Sequence, residues 1–299
     1  MKIYLENVNT SSNSGPNSFA KKLIPHLQRE QCEFTDLSNS DVALCFIESS
    51  LKDRLKIPRA LRLDGIYFNT TQNYQAQNQN IKRTYDMSEG VIYQSNFNKK
   101  LIETYFGHHP LSTVIHNGAN LPLIGNVAPM AKKRRGDIWC CASQWRPHKR
   151  LKDNIRYFLE HKKDDDILIV AGDVADREKV QDKSIAYFGK LSQTQLYSVY
   201  KSAKYFVHLA WLDHCPNVVV DARAAGCQIV CSSAGGTREI AGSNSIIIEE
   251  DPWDFKPLDL YSPPELDFQR KVKNDFNSEY DMEEVSKKYK SFLEELCRQ

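Results

Sequence analysis

The sequence predicts an α/β protein made of two doubly wound, Rossmann-like domains, and three observations carry that prediction. Short apolar runs alternate with segments of helical period almost throughout, the pattern of strand, helix, strand units and a parallel sheet. The alternation is interrupted once, by a stretch containing prolines, a glycine and a basic run, and then starts afresh. A chain of 299 residues also holds about two domains of ordinary size.

In the first half, strands are expected at Lys2–Leu5, Asp41–Ile47, Ala60–Leu63, Val91–Gln94 and Thr113–His116. Helical segments are expected at Phe19–Gln28, Asn80–Met87 and Asn98–Tyr105. Asn117-Gly118 signals a turn, and the stretch from Leu121 to Arg135, with two prolines, a glycine and Lys132-Lys133-Arg134-Arg135, reads as the linker. So short a basic run is read as solvated rather than as a nucleic-acid site. Beyond it, strands are expected at Ile138–Ala142, Ile167–Ala171, Ile185–Phe188, Tyr205–Leu209, Ile229–Ser232 and Ser245–Ile248. Val285, Tyr289, Phe292, Leu293 and Leu296 recur at helical spacing within Met282–Leu296 and predict a helix that packs on a domain. The expected organisation is a first domain over 1–125, a linker over 126–136, a second domain over 137–265 and a closing helical segment over 266–299. Parallel sheets bind ligands at the carboxyl ends of their strands, so two such domains facing each other across a cleft would place the site there.

Composition narrows the function classes. Hydrophobic residues at 41% and charged residues at 26% describe a globular protein, and a net charge of +2 carries no broad footprint for nucleic acid or an anionic membrane. No apolar run approaches the roughly 20 residues of a membrane span, so a soluble, cytoplasmic protein is expected. The 8 cysteines are scattered, form no C-x-x-C pair and lack zinc-ligand spacing, which reads as buried reduced thiols.

Several segments have the residue types that phosphate and sugar chemistry need. Ser14-Gly15-Pro16 opens the first helix, where free backbone N–H groups favour an anion, although an ordinary capped helix start reads the same way. Trp145-Arg146-Pro147-His148-Lys149-Arg150 follows a strand and offers a cluster of cations to a diphosphate, or to solvent. Asp213 and Asp221 flank Pro216-Asn217-Val218-Val219, a helix start whose amides should point at a phosphate. Asp221, one turn further in, suits a ribose diol, or is a satisfied helix carboxylate. Asp164-Asp165-Asp166 precedes a strand, at the wrong end for a metal site, and reads as a solvated turn.

The series Gly189-Lys190-Leu191, Leu196-Tyr197, Ser202-Ala203, Asp213, Asp221, Ala224-Ala225-Gly226-Cys227 and Gly235-Gly236-Thr237-Arg238-Glu239-Ile240 resembles the donor-binding domain of retaining family-4 glycosyltransferases of the GT-B fold. A weaker likeness runs through Gly15, Gln94-Ser95-Asn96-Phe97 and Ile115-His116-Asn117-Gly118, and the short length resembles glycosyltransferases carried by large algal viruses. The resemblance implies that 1–125 is the acceptor side and 137–265 the donor side. It implies that Arg146 and Lys149 hold the donor diphosphate and that Gly189, Lys190 and Leu191 touch the base. Asp213 lies at the position of the glutamate near the transferred sugar, and Asp221 at that of the glutamate on the ribose. Both are one methylene shorter than the family's glutamates. Asp64, in Arg62-Leu63-Asp64-Gly65, stands where many members have a histidine, and it cannot reproduce that residue's switch of charge near neutral pH. Ser143-Gln144 replaces a glycine-arginine pair.

The reading is a retaining hexosyltransferase. Asp64, Asp213, Arg146 and Lys149 form its catalytic set, and Gly15, Asn217, Val218, Val219 and Asp221 join the donor contacts. GDP-mannose is the favoured donor, with a UDP-sugar second, and no metal or other cofactor is required. The partners are the nucleotide-sugar donor and a glycan or small-molecule acceptor, with no nucleic acid, and a homodimer is an admissible assembly. The alternatives are a sugar-nucleotide epimerase of the same architecture, which would need an acid/base pair about the sugar ring, and a non-catalytic nucleotide-sugar binding protein. A nicotinamide dehydrogenase is disfavoured because no G-x-G-x-x-G follows the first strand.

Overall fold

The computed structural model describes the chain except Asn13, Lys52, Arg54, Lys132, Lys133, Arg134 and Gln299. Most of the basic run at 132–135 therefore lies outside the described residues. The chain divides into two compact units, one of residues 1–119, 254–258 and 279–299, the other of 120–253 and 259–278. The division falls after Ala119, and the segment 266–299 is split, its first part in unit 2 and its closing helix in unit 1.

Unit 1 holds a six-stranded parallel sheet in the order β2-β1-β3-β4-β5-β6. The strands are β1 (Lys2–Glu6), β2 (Glu33–Phe34), β3 (Val42–Phe46), β4 (Arg59–Leu63), β5 (Gly90–Tyr93) and β6 (Ser112–Val114). The middle strands β3, β4 and β5 are buried along their whole length, as strands covered on both faces of a parallel sheet are, although β4 buries two arginines, Arg59 and Arg62. Three helices connect them: α1 (Gly15–Arg29), α2 (Tyr74–Asp86) and α3 (Asn96–Phe106). Helix α2 starts well before the expected Asn80, because Asn73 caps it by accepting the Ala76 N–H at 3.1 Å. Ser95 caps α3 in the same way through the Asn98 N–H.

Unit 2 holds a seven-stranded sheet in the order β13-β12-β11-β10-β7-β8-β9. Its strands are β7 (Ile138–Ala142), β8 (Ile167–Ala171), β9 (Ile185–Gly189), β10 (Tyr205–His208), β11 (Gln228–Ser232), β12 (Ile246–Ile248) and β13 (Lys271–Val272). All pair in parallel except β13, which runs antiparallel on the edge. The helices are α4 (Leu121–Gly125), α5 (Leu151–His161), α6 (Gln193–Ser202), α7 (Asn217–Ala224) and α8 (Thr237–Ile240). A capping box between Ser192 and Gln195 starts α6. The acidic turn at 164–166 departs from expectation. It lies before β8 as predicted, but Asp166 is buried and accepts from Trp139 Nε1 at 3.0 Å and from the Asp137 and Lys163 amides. This carboxylate holds the β7 and β8 starts together and is not solvated.

The chain returns to unit 1 for α9 (Met282–Leu296), capped by Asp281 and buried along Val285, Tyr289, Phe292, Leu293 and Leu296. Those side chains join Phe19, Leu23 and Leu27 of α1 and Ile3, Leu44 and Ile92 of the sheet in one core. The fit is close at Gly90, where a Cβ would come within 2.8 Å of the Phe292 ring. Seven cysteines are buried and reduced, and Cys297 is exposed. Among the described residues no helix is long and apolar enough to cross a membrane.

Because α9 completes the core of unit 1, Leu293→Ala is expected to destabilise that unit by about 2–5 kcal/mol. A fall in the urea midpoint of the unit 1 transition checks it, and an unchanged midpoint contradicts the packing.

Candidate functional site

In the sheet of unit 2, β7 lies next to β10. The chain leaves β7 toward β8 on one side and leaves β10 toward β11 on the other, so their carboxyl ends diverge. That is the topological switch point, where doubly wound sheets bind ligands. The two connections there are 143–150 and 209–216.

After β7, a single 3-10 turn, Pro147–Lys149, ends at Arg150 in the left-handed region with φ 50°. The Arg150 guanidinium is buried and makes a bidentate pair with Glu250, each arm 2.8 Å long. It also donates to the carbonyls of Leu209 and Pro264, while Ser232 Oγ donates to Glu250. One cation thus ties together the chain leaving β7, β10, β11 and β12. Arg150, counted with the cations open to a ligand when the sequence alone is read, is a structural anchor.

Its neighbour Lys149 does present a charge at the switch point. Lys149 Nζ donates to Asp213 Oδ2 at 2.5 Å, His208 Nε2 lies 2.9 Å from the same oxygen, and the His214 N–H donates to Oδ1 at 3.1 Å. Burial pushes the Asp213 carboxyl up, but the Lys149 ammonium and the His208 hydrogen bond outweigh it and hold the group well below the usual carboxylate range. The backbone of Asp213 is fixed by the next crossover, since the Gly236 N–H donates to its carbonyl at 2.7 Å. Gly235 sits beneath it with φ 97°, and a Cβ there would come within 2.6 Å of the Asp213 oxygen, so only glycine suits the position. Lys149 and Asp213 remain 18% and 14% exposed, and two of the three ammonium protons have no acceptor among the described residues.

The other residues singled out in the sequence fall as follows. Arg146 is exposed and makes no ion pair among the described residues. Pro216 caps α7, whose first turn is Asn217, Val218 and Val219. The Val219 N–H donates to the Pro216 carbonyl at 3.1 Å, whereas the Val218 N–H has no acceptor among the described residues. Asp221 is buried on α7; burial and then its charge raise the Tyr197 hydroxyl, and burial, Cys140 and then Asp221 raise that of Tyr200. Gly189 ends β9 with φ 64° and accepts the Gly172 N–H at 2.7 Å, and Lys190 and Leu191 follow at the same carboxyl edge, two strands from β7.

Asp64 and Gly15 belong to unit 1. Gly15 begins α1, and Ser14 Oγ accepts from Asn17 Nδ2 and does not cap a backbone amide. Asp64 follows β4 and is ion-paired with the buried Arg62. Arg62 also donates to Asn117 Oδ1 at 2.8 Å and to Tyr289 Oη at 3.0 Å, with its guanidinium 4.1 Å from the Phe19 ring centroid. Asn117 donates in turn to Gln94. A polar network therefore joins the carboxyl ends of β4, β5 and β6. The sequence signal for it was present: an arginine inside a buried apolar strand needs an anion, and Asp64, two positions on, projects to the same side.

Residues 128–255 match the family described as glycosyl transferases group 1. By sequence, a comparison with curated proteins returns no match. In structure the chain is similar to HepE of Anabaena, solved in complex with UDP and glucose, at 14% identity, over 99% of this chain and 100% of that one, with a TM-score of 0.68. It is also similar to sucrose-phosphate synthase of Thermosynechococcus elongatus, at 11% identity, over 83% and 86% of the two chains, with a TM-score of 0.67. A third likeness is to WaaG, a glycosyltransferase involved in lipopolysaccharide biosynthesis, at 8% identity, over 100% and 93%, with a TM-score of 0.62. The fold is thus the α/β fold of GT-B glycosyltransferases.

Two outcomes follow from the site's electrostatics. Glu250→Ala strands the buried Arg150 charge and is expected to cost unit 2 about 3–5 kcal/mol, read as a lower urea midpoint. Burial, then the neighbouring Lys149, lowers His148 to about 3, and burial lowers His214 to about 4 and His208 in the same direction. The unfolded chain therefore takes up protons first as pH falls below about 6.5, so the stability these neutral rings contribute is intact above that pH and is lost progressively toward about pH 4. Urea midpoints at about pH 7.5, 6 and 5 should fall in that order, and a flat profile would contradict the burial of neutral histidines.

Proposed function

We propose that the protein is a retaining glycosyltransferase that moves a hexose from a nucleoside diphosphate sugar to a hydroxyl of a glycan or small acceptor. The observation that carries the reading is the Lys149–Asp213 pair at the switch point of unit 2, inside the segment that matches glycosyl transferases group 1. The Lys149 ammonium, with two protons to spare, together with Arg146 and the Val218 amide, supplies positive charge for a diphosphate.

The chemistry needs little else from the protein. The bond between the sugar C1 and the diphosphate oxygen breaks, the acceptor oxygen bonds to C1 on the same face, and the acceptor proton passes to the departing phosphate. No protein nucleophile is required. The residues' task is to orient the donor and to stabilise the growing charge on the leaving group. Asp221, buried on α7, is assigned to the ribose, Gly189 to Leu191 to the base, and Asp213 to the edge of the sugar while it holds Lys149. Asp64, ion-paired with Arg62, is assigned to an acceptor or sugar hydroxyl, and Gly15, which opens α1, to a donor contact. GDP-mannose is the first donor to test, on the likeness to mannosyltransferase-type members of the family. UDP-glucose is second, since HepE has been solved with it bound.

Calorimetric titration of the intact protein with GDP-mannose, UDP-glucose and the matching diphosphates tests the reading. One of them is expected to bind, and Lys149→Met should weaken it about tenfold to a hundredfold, the worth of a charged hydrogen bond. Binding unaffected by that change, or no binding of any nucleotide, would sink the assignment.

A further inference from the structure

We propose that His208 is a positioning residue for this phosphate site, acting through Asp213 on Lys149, an inference that rests on the donor reading above. His208 is the last residue of β10, paired in register with Cys231 of β11 and 4% exposed. The strand before it, Tyr205-Phe206-Val207, carries no charged group. Its Nε2 lies 2.9 Å from Asp213 Oδ2, the oxygen that also accepts Lys149 Nζ.

The roles of the atoms follow from the chemistry of the two groups. The ionised Asp213 carboxylate can only accept, so Nε2 carries hydrogen and donates. Burial disfavours the charged ring, so His208 is a neutral donor that leaves the cation count of the site unchanged. It takes up part of the accepting capacity of Oδ2 and holds the carboxylate plane where the ammonium meets only one of its oxygens, the other being occupied by the His214 amide. Lys149 then spends one proton on that oxygen and keeps the other two for a phosphate. Without the Nε2–H, the carboxylate closes on the ammonium, and the site loses positive charge toward a ligand.

The experiment is a double-mutant cycle read by calorimetry with UDP and GDP as probes, on the full chain. His208→Leu is expected to weaken binding of the preferred diphosphate about tenfold. His208→Gln, whose side-chain amide nitrogen reaches the Nε2 position, should restore it to within about threefold. His208→Asn keeps a polar side chain on the strand but is too short to reach, and should behave like His208→Leu even if the leucine variant folds poorly. In a Lys149→Met background, His208→Leu should change affinity by less than about twofold, because the residue through which it acts is gone. Equal losses in both backgrounds, or wild-type binding by His208→Asn, would overturn the role while leaving the donor reading in place. Failure of the unaltered protein to bind either diphosphate overturns the donor reading and this role with it.

Discussion

Arg150 is buried at the carboxyl ends of β7, β10, β11 and β12 with its guanidinium on both oxygens of Glu250. A buried ion pair is of doubtful worth against an apolar substitute but costly to break, so its value here lies in what it specifies. The left-handed backbone of Arg150 ends the 3-10 turn and starts α5, and the pair holds that bend to strands contributed from across the sheet. Lys149, the last residue of that 3-10 turn, is the next residue back. The anchor and the residue that keeps part of its charge exposed at the switch point are thus chain neighbours.

The same division of labour recurs around Asp213. Its side chain is shared among three donors, from β7's connection, from β10 and from its own loop, and its backbone is clamped by Gly236 over a glycine that admits no side chain. The aspartate reaches lysine and histidine directly, and the backbone has been brought close enough to let it. In unit 1, Arg62 plays a comparable part for Asp64, since it is locked between Phe19, Tyr289 and Asn117.

Much of the fold was legible because parallel strands are buried on both faces and read as apolar runs. Every long strand of both sheets stands within a residue or two of its expected place, and so does α9. What escaped was short or carried by partners remote in sequence. The two-residue strands β2 and β13 have no period to detect, and α4 was hidden in a stretch whose prolines and glycine look like linker. At the site, the cluster of cations after β7 was visible, but the withdrawal of Arg150 into the structure was not, because its partner Glu250 lies 100 residues away. His208 was overlooked because a lone histidine in an apolar strand is usually a satisfied core residue. Only the loop geometry after β10 brings Asp213 back onto it.

The path of the chain has a consequence for how the molecule is made. Unit 1 contains the first 119 residues, yet its core is finished by α9 at 282–296. On the ribosome, the amino-terminal sheet therefore emerges with one apolar flank of α1 and β4 uncovered, and stays so while all of unit 2 is synthesised. The second unit has its whole core in hand, including Leu266 and Phe268, before the first one does. Maturation thus runs against the order of translation. Until α9 is made, that apolar flank stays uncovered, the kind of exposure that makes a nascent chain prone to aggregation.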